Sequence, residues 1–242
     1  MRRAAIWVLA LGLAACVKEV PAADDGEATF NDPGLSASNL NEVSCATCHA
    51  TTKEAPEGHL FAGETMWGVT TRTRYWGGQA VTLPDAIDQC LEYFMRGQAL
   101  DTDSLESRAL HEYLRSLGPD EPAEERPFTV VNRIEGLPPG DATRGATVWA
   151  EACQECHGEI HTGEGRLPGR DLEEIIFPEY ALTEYPEIFA DFPPGLVVVE
   201  KVRHGGFFTT AGVMPLFSLE RLSDEQLGDV LTYLGLPSLA EE

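Results

Sequence analysis

Two five-residue stretches bring together side chains able to do redox or metal chemistry: CATCH at Cys45–His49 and CQECH at Cys153–His157. Each sets two thiols at i and i+3, with an imidazole directly after the second. A redox dithiol needs no histidine at the same offset in both copies. A zinc site needs four ligands, and neither copy is accompanied by a second C-x-x-C or an H-x3-H. Two cysteines one helical turn apart lie on one side, where both can form thioethers with the vinyl groups of one porphyrin. The histidine is then held beneath the ring as an iron ligand. The motifs therefore predict two covalently attached c-type haems, one on Cys45 and Cys48 with His49, the other on Cys153 and Cys156 with His157.

Helices must position these groups. Before the second motif, Gly145, Trp149 and Cys153 recur every four residues on one helical face, led by Asp141 as N-cap. After it, Ser223 and Gln226 form an S-x-x-Q capping box opening a closing helix, EQLGDVLTYLGLP. The first half ends in a similar helix, ALHEYLRSLG, and both carry a Tyr-Leu pair. On these residues the chain, from about 40 to 237, resembles two fused class I cytochrome c domains, which implies a mostly α fold. The resemblance also implies that Gly145 and Trp149 pack on the closing helix, with Trp149 against Tyr233. The stretch AGVMPLFS resembles the class I ligand loop and implies Met214 as distal ligand of the second haem, with His204 as competitor. His161 falls in a polar loop, away from the iron.

Five of the six cysteines have a role by local sequence, leaving Cys90. It lies in LPDAIDQCLEYFMRG, a helix capped by Thr82 and Asp85 and stopped at Gly97, with Ile87, Cys90, Leu91, Phe94 and Met95 facing inward. On an ideal helix Cys90 and Met95 stand roughly 140 degrees and about 7.5 Å of rise apart, on opposite edges of that stripe. A buried free cysteine acting as a small hydrophobe is one reading. The segment Cys90–Ser104 also resembles the region of dihaem thiosulfate dehydrogenases, and of the Sox dihaem subunit, that carries an axial cysteine. Cys90, Met95, Gly97 and Leu100 keep that register, implying Cys90 as the distal thiolate of the first haem. Met95 stands as the alternative, followed by Met66, His59, His111 or an open site. The arginine that the family carries shortly after the cysteine is absent, Tyr93 and Phe94 occupying its place. Arg72, Arg74 and Arg96 could form an anion pocket or pair with carboxylates.

The chain starts with Arg2 and Arg3, an apolar run from Ala4 to Leu13, and Leu13-Ala14-Ala15-Cys16, which resembles a lipobox. Residues 1–15 read as an export signal and Cys16 as the lipid-bearing residue, with an ordinary signal peptide or an uncleaved anchor as alternatives. Loss of residues 1–15 moves the formal charge from −23 to about −25. That charge excludes nucleic acid and favours redox partners with basic docking surfaces. Residues 16–41 read as a flexible tether with few large apolar groups. Gly118–Pro127, rich in proline and glutamate, reads as the boundary, giving domains at 42–118 and 128–242 joined by a linker at 119–127.

The combined expectation is a dihaem electron carrier tethered by lipid to the inner or outer membrane and facing the periplasm. A thiosulfate dehydrogenase-like oxidoreductase, reacting at the first haem, is the alternative, and a sensory haem module is a third possibility. No Ser/His/Asp arrangement, phosphate loop or dinucleotide fingerprint stands out.

Overall fold

The computed structural model of the protein describes residues 23–119, 121–123, 125–134, 136–168, 175–208, 212–237 and 239; the expected signal segment and Cys16 lie outside the described residues. Among them the structure is helical, as expected, and the sole β feature is an isolated Tyr75–Ala80 bridge. The first half holds α1 (Ala23–Phe30), α2 (Cys45–Cys48), α3 (Leu83–Tyr93) and α4 (Leu105–Ser116). The second holds α5 (Ala142–Ala152), α6 (Gln154–His157), α7 (Glu179–Ile188), α8 (Pro194–His204) and α9 (Asp224–Tyr233). No helix of the described residues is long and apolar enough to cross a membrane.

One device frames both halves: a first helix crosses a last helix at a glycine that meets a tyrosine. In the second half α5 lies on α9, and a Cβ at Gly145 would run into the Asp229 carbonyl and come within 2.7 Å of the Tyr233 Cβ. The cap expected at Asp141 forms, its carboxylate accepting from Thr143 N and Arg144 N at 2.9 Å. The buried Asp229 carboxylate accepts Arg144 Nε and Nη2, both at 2.8 Å, and Asp141 N. The Arg144 hydrogen bonds hold its carboxyl below the usual range. Ser223 and Gln226 close the expected capping box of α9. Trp149, assigned above to Tyr233, makes its ring contacts with His157 and Phe177, while Gly145 is the residue lying over Tyr233. Gly145→Ala should destabilise the chain by about 1–3 kcal/mol, because the helices must part to admit a methyl group. A urea midpoint equal to wild type would contradict this crossing.

The first half repeats the device where the sequence reads as tether. α1 packs on α4, and a Cβ at Gly26 would run into the Ala109 carbonyl and meet the Tyr113 Cβ at 2.6 Å. Phe30, 1% exposed, lies 5.5 Å from the Tyr113 ring centroid. Residues 23–30 are therefore part of the fold and not a flexible tether. One glycine for close approach and one phenylalanine to bury suffice to dock so short a helix, and neither makes a hydrophobic period.

The two halves differ in their cores. The second has one large cluster in which Trp149, Phe177, Val199, Leu227 and Leu231 take part, joined by Ala62 from the first half. The first has two small clusters, one around Phe30, Leu110 and Leu114, the other of Val43, Leu91 and Met95. The proline- and glutamate-rich stretch between the halves is strapped to the first. Ala123 N donates to Thr71 Oγ1 at 3.1 Å, Thr73 Oγ1 donates to Glu125 at 2.6 Å, and the Phe128 ring stands edge-on to Trp76 at 5.2 Å.

Candidate functional site

Between the two small clusters of the first half lies an open cavity with about 1250 Å³ of empty space, its mouth included. Cys45, Cys48 and His49 line it, and across it stand all five inward-facing residues expected of α3: Ile87, Cys90, Leu91, Phe94 and Met95. Ser44 caps the single turn of α2, which brings both thiols of the motif to the cavity. His49 follows in extended backbone, so its ring is aimed by contacts outside that turn. Its Nδ1 bonds the Glu64 carbonyl at 2.7 Å, which fixes the proton there and leaves Nε2 as the free ligand atom. Gly63 presses on the same ring, since a Cβ there would run into the imidazole. Burial lowers the His49 pKa, keeping the ring neutral, as a metal ligand must be.

Thr82 and Asp85 cap α3 as expected. The helix ends at Tyr93, and Phe94 N and Met95 N both return to the Cys90 carbonyl at 3.1 Å. Met95 therefore lies past the helical turn that the ideal wheel assumes. It packs with Val43 and Leu91, while the Cys90 thiol is close enough to feel Cys45. Burial, then Cys45, pushes the Cys90 thiol up to about 12. A thiol in that setting is neutral unless a cation draws off its proton, as a coordinating metal does. Both Cys90 and Met95 reach the cavity, and Met66 lines it as well.

In the second half the thiols of Cys153 and Cys156 are likewise raised by burial, to about 12 and about 11. Burial, then Lys201, lowers His157 to about 4, so this imidazole is also neutral. Its ring lies edge-on to Phe177 at 5.2 Å, and among the described residues its buried Nδ1 has no partner. Met214 packs against the same core. His204 is committed elsewhere, with Nδ1 to Glu200 at 2.7 Å and Nε2 to the Val131 carbonyl at 2.6 Å. His161 is exposed and pairs with Glu179. No cluster of three or more His, Cys, Asp or Glu suited to a metal ion occurs among the described residues.

The two motifs lie near each other. Cys48 is pushed up by burial first, then by Cys156 and Cys90. Leu60 N donates to the α5 carbonyl of Glu151 at 2.8 Å, and Arg221 Nε to the Phe61 carbonyl at 2.8 Å.

The first cavity fits a porphyrin on chemical grounds. Its walls are mainly apolar, its thiols and a tautomer-fixed imidazole sit together, and Arg72, Arg74 and Arg126 line it as counter-charges for two propionates. Arg72 keeps a buried Nε without a hydrogen-bond partner among the described residues. Sequence reasoning missed Gly63, Glu64, Arg126 and the pair Pro215–Leu216, which also line this cavity from the second half. Glu64 acts through a carbonyl that every residue carries, and the others are brought in by tertiary packing.

Residues 140–234 match the family described as cytochrome c oxidase, cbb3-type, subunit III. The chain is 26% identical over 201 residues to a thiosulfate dehydrogenase of Psychrobacter arcticus, covering 80% of this chain and 55% of that protein. A solved thiosulfate dehydrogenase (TsdBA) from Marichromatium purpuratum aligns with a TM-score of 0.42 and 23% identity, over 92% of this chain and 50% of that one. The chain thus spans about half the length of the relatives it matches. The family match over residues 140–234, which contain the CQECH motif and its neutral buried histidine, supports a c-type cytochrome with covalently bound haem in this segment.

Proposed function

We propose that the chain holds two covalently attached c-type haems, one in each half, and passes single electrons between redox proteins on the exported side of a bacterial membrane. The observation that carries the reading is the first cavity, where the thiols of one C-x-x-C-H motif, a histidine with Nε2 free, and Cys90 line one apolar space. Bound haem supplies a one-electron ferric/ferrous couple. The chain's part is to anchor each ring through Cys45 and Cys48 or Cys153 and Cys156. His49 and His157 would hold the iron through neutral imidazoles, with Cys90 and Met214 as the proposed second ligands of the two haems. Arg72, Arg74 and Arg126, which line the first cavity, would offer counter-charge to the propionate carboxylates of its ring, and the apolar lining would keep out water. A formal charge of −23 favours partners with basic docking faces. Cys16 is the proposed lipid-bearing residue that tethers the protein to the inner or outer membrane, facing the periplasm.

A second reading, a thiosulfate dehydrogenase-like oxidoreductase, draws on the three arginines lining the first cavity and on the Psychrobacter relative. Steady-state assay of the holoprotein with thiosulfate and an artificial electron acceptor tests the choice. Fast one-electron exchange with a basic cytochrome, and no acceptor reduction dependent on thiosulfate, is the result expected of a carrier. Sustained turnover that rises with thiosulfate and falls in Arg126→Ala would replace the first reading with the second.

A further inference from the structure

The loop carrying Met214 serves both halves. Met214 packs against the second core, while its neighbours Pro215 and Leu216 line the first cavity with Cys90 and Met95. Two residues upstream, the Gly212 carbonyl accepts a hydrogen bond from Arg96 Nε at 2.9 Å, across 116 residues of sequence. Arg96 stands just beyond α3, the helix of Cys90, with φ 53. That left-handed conformation is rare for a residue with a Cβ and usual for glycine at a helix C-terminus. An arginine held there directs a long donor away from the helix end.

The contact around it is extensive. The Phe207 ring lies 4.9 Å from Tyr93 and 5.7 Å from Phe94, centroid to centroid. Gly206 passes so near that a Cβ would come 2.7 Å from the Tyr93 carbonyl. The end of the Cys90 helix is thereby clasped to both the Gly205–Phe207 turn and Gly212.

We infer that Arg96, a residue of the first half, is a positioning residue for Met214, holding the start of its loop so that the sulfur stays within reach of the second haem. The inference rests on the proposed role of Met214 as distal ligand. Its chemistry is a charge-assisted hydrogen bond on a backbone carbonyl two residues from the ligand, so loss of the donor frees the loop without altering the ligand.

The test follows the near-infrared sulfur-to-iron band of the oxidised holoprotein while imidazole competes for the iron. Arg96→Met keeps the stem and removes the donor; imidazole should abolish the band at roughly tenfold lower concentration, the effect of losing one charged hydrogen bond. Arg96→Lys, which restores a cationic donor, should recover most of the wild-type resistance. Phe207→Ala, at an exposed site of the same clasp, should shift the competition in the same direction and serves if Arg96→Met does not fold. Equal imidazole sensitivity in wild type, Arg96→Met and Phe207→Ala would overturn the inference. Met214→Leu is the separate control. A band that survives it overturns the ligand assignment, and the inference with it, whereas a band lost in Met214→Leu but indifferent to Arg96 overturns the inference alone.

Discussion

Serine in place of both Cys45 and Cys48 should halve the covalently bound haem, and the same change at Cys153 and Cys156 should remove the other half. Intact mass after denaturation, from cells competent in haem attachment, checks both: two increments in wild type, one in either double variant, none in the fourfold variant. The reason is chemical, since a hydroxyl forms no thioether with a vinyl group. A single increment in the wild type would overturn the two-site proposal. The two double variants should also differ in stability. The first half divides its apolar residues between two small clusters with an open cavity between them, so it has little core without a group to fill the space. The second has one large continuous cluster. Losing the first haem should therefore lower the melting temperature of its half more than losing the second lowers that of the other.

Cys90→Ala should raise the reduction potential of one haem by on the order of 100 mV or more, within the roughly 0.8 V range that axial ligands command. A thiolate stabilises ferric iron, so its removal favours the ferrous form, and a low-spin thiolate signal should vanish from the low-temperature EPR spectrum. The thiol lines the cavity that holds His49, in an apolar setting that keeps it neutral until a metal takes up its charge. Met95→Leu at the buried neighbouring position should be a packing change costing less than about 1.5 kcal/mol, with the spectrum intact. If Met95→Leu shifts the spectrum and Cys90→Ala does not, Met95 is the ligand and Cys90 a small core residue. With Cys90 and Met214 as ligands of two haems, as proposed, the first would lie at lower potential than the second, and electrons would run from the first half to the second.

Local chemistry determined much by sequence alone. The spacing of C-x-x-C-H is an intrinsic property of a helical turn, and so are the caps at Asp141, Thr82 and Ser223, each formed in the structure by side chains two or three residues from their partners. The inward stripe of α3, Ile87, Cys90 and Leu91, likewise follows from helical period and, joined by Phe94 and Met95 just past the helix end, reappears as one wall of the cavity. Tertiary structure decided what depends on distant groups. Helix α1 is held by Ala109 and Tyr113, some eighty residues away, so its two decisive residues, Gly26 and Phe30, look like tether when taken in order. His49 takes its tautomer from a backbone carbonyl at Glu64, which carries no mark in the amino-acid code. The approach of Cys156 to Cys48, and the sharing of the Met214 loop between the halves through Arg96 and Gly212, arise from packing of one half on the other. Periodicity and motif report what one element does for itself; burial, tautomer and the meeting of two sites are set by the elements that fold against it.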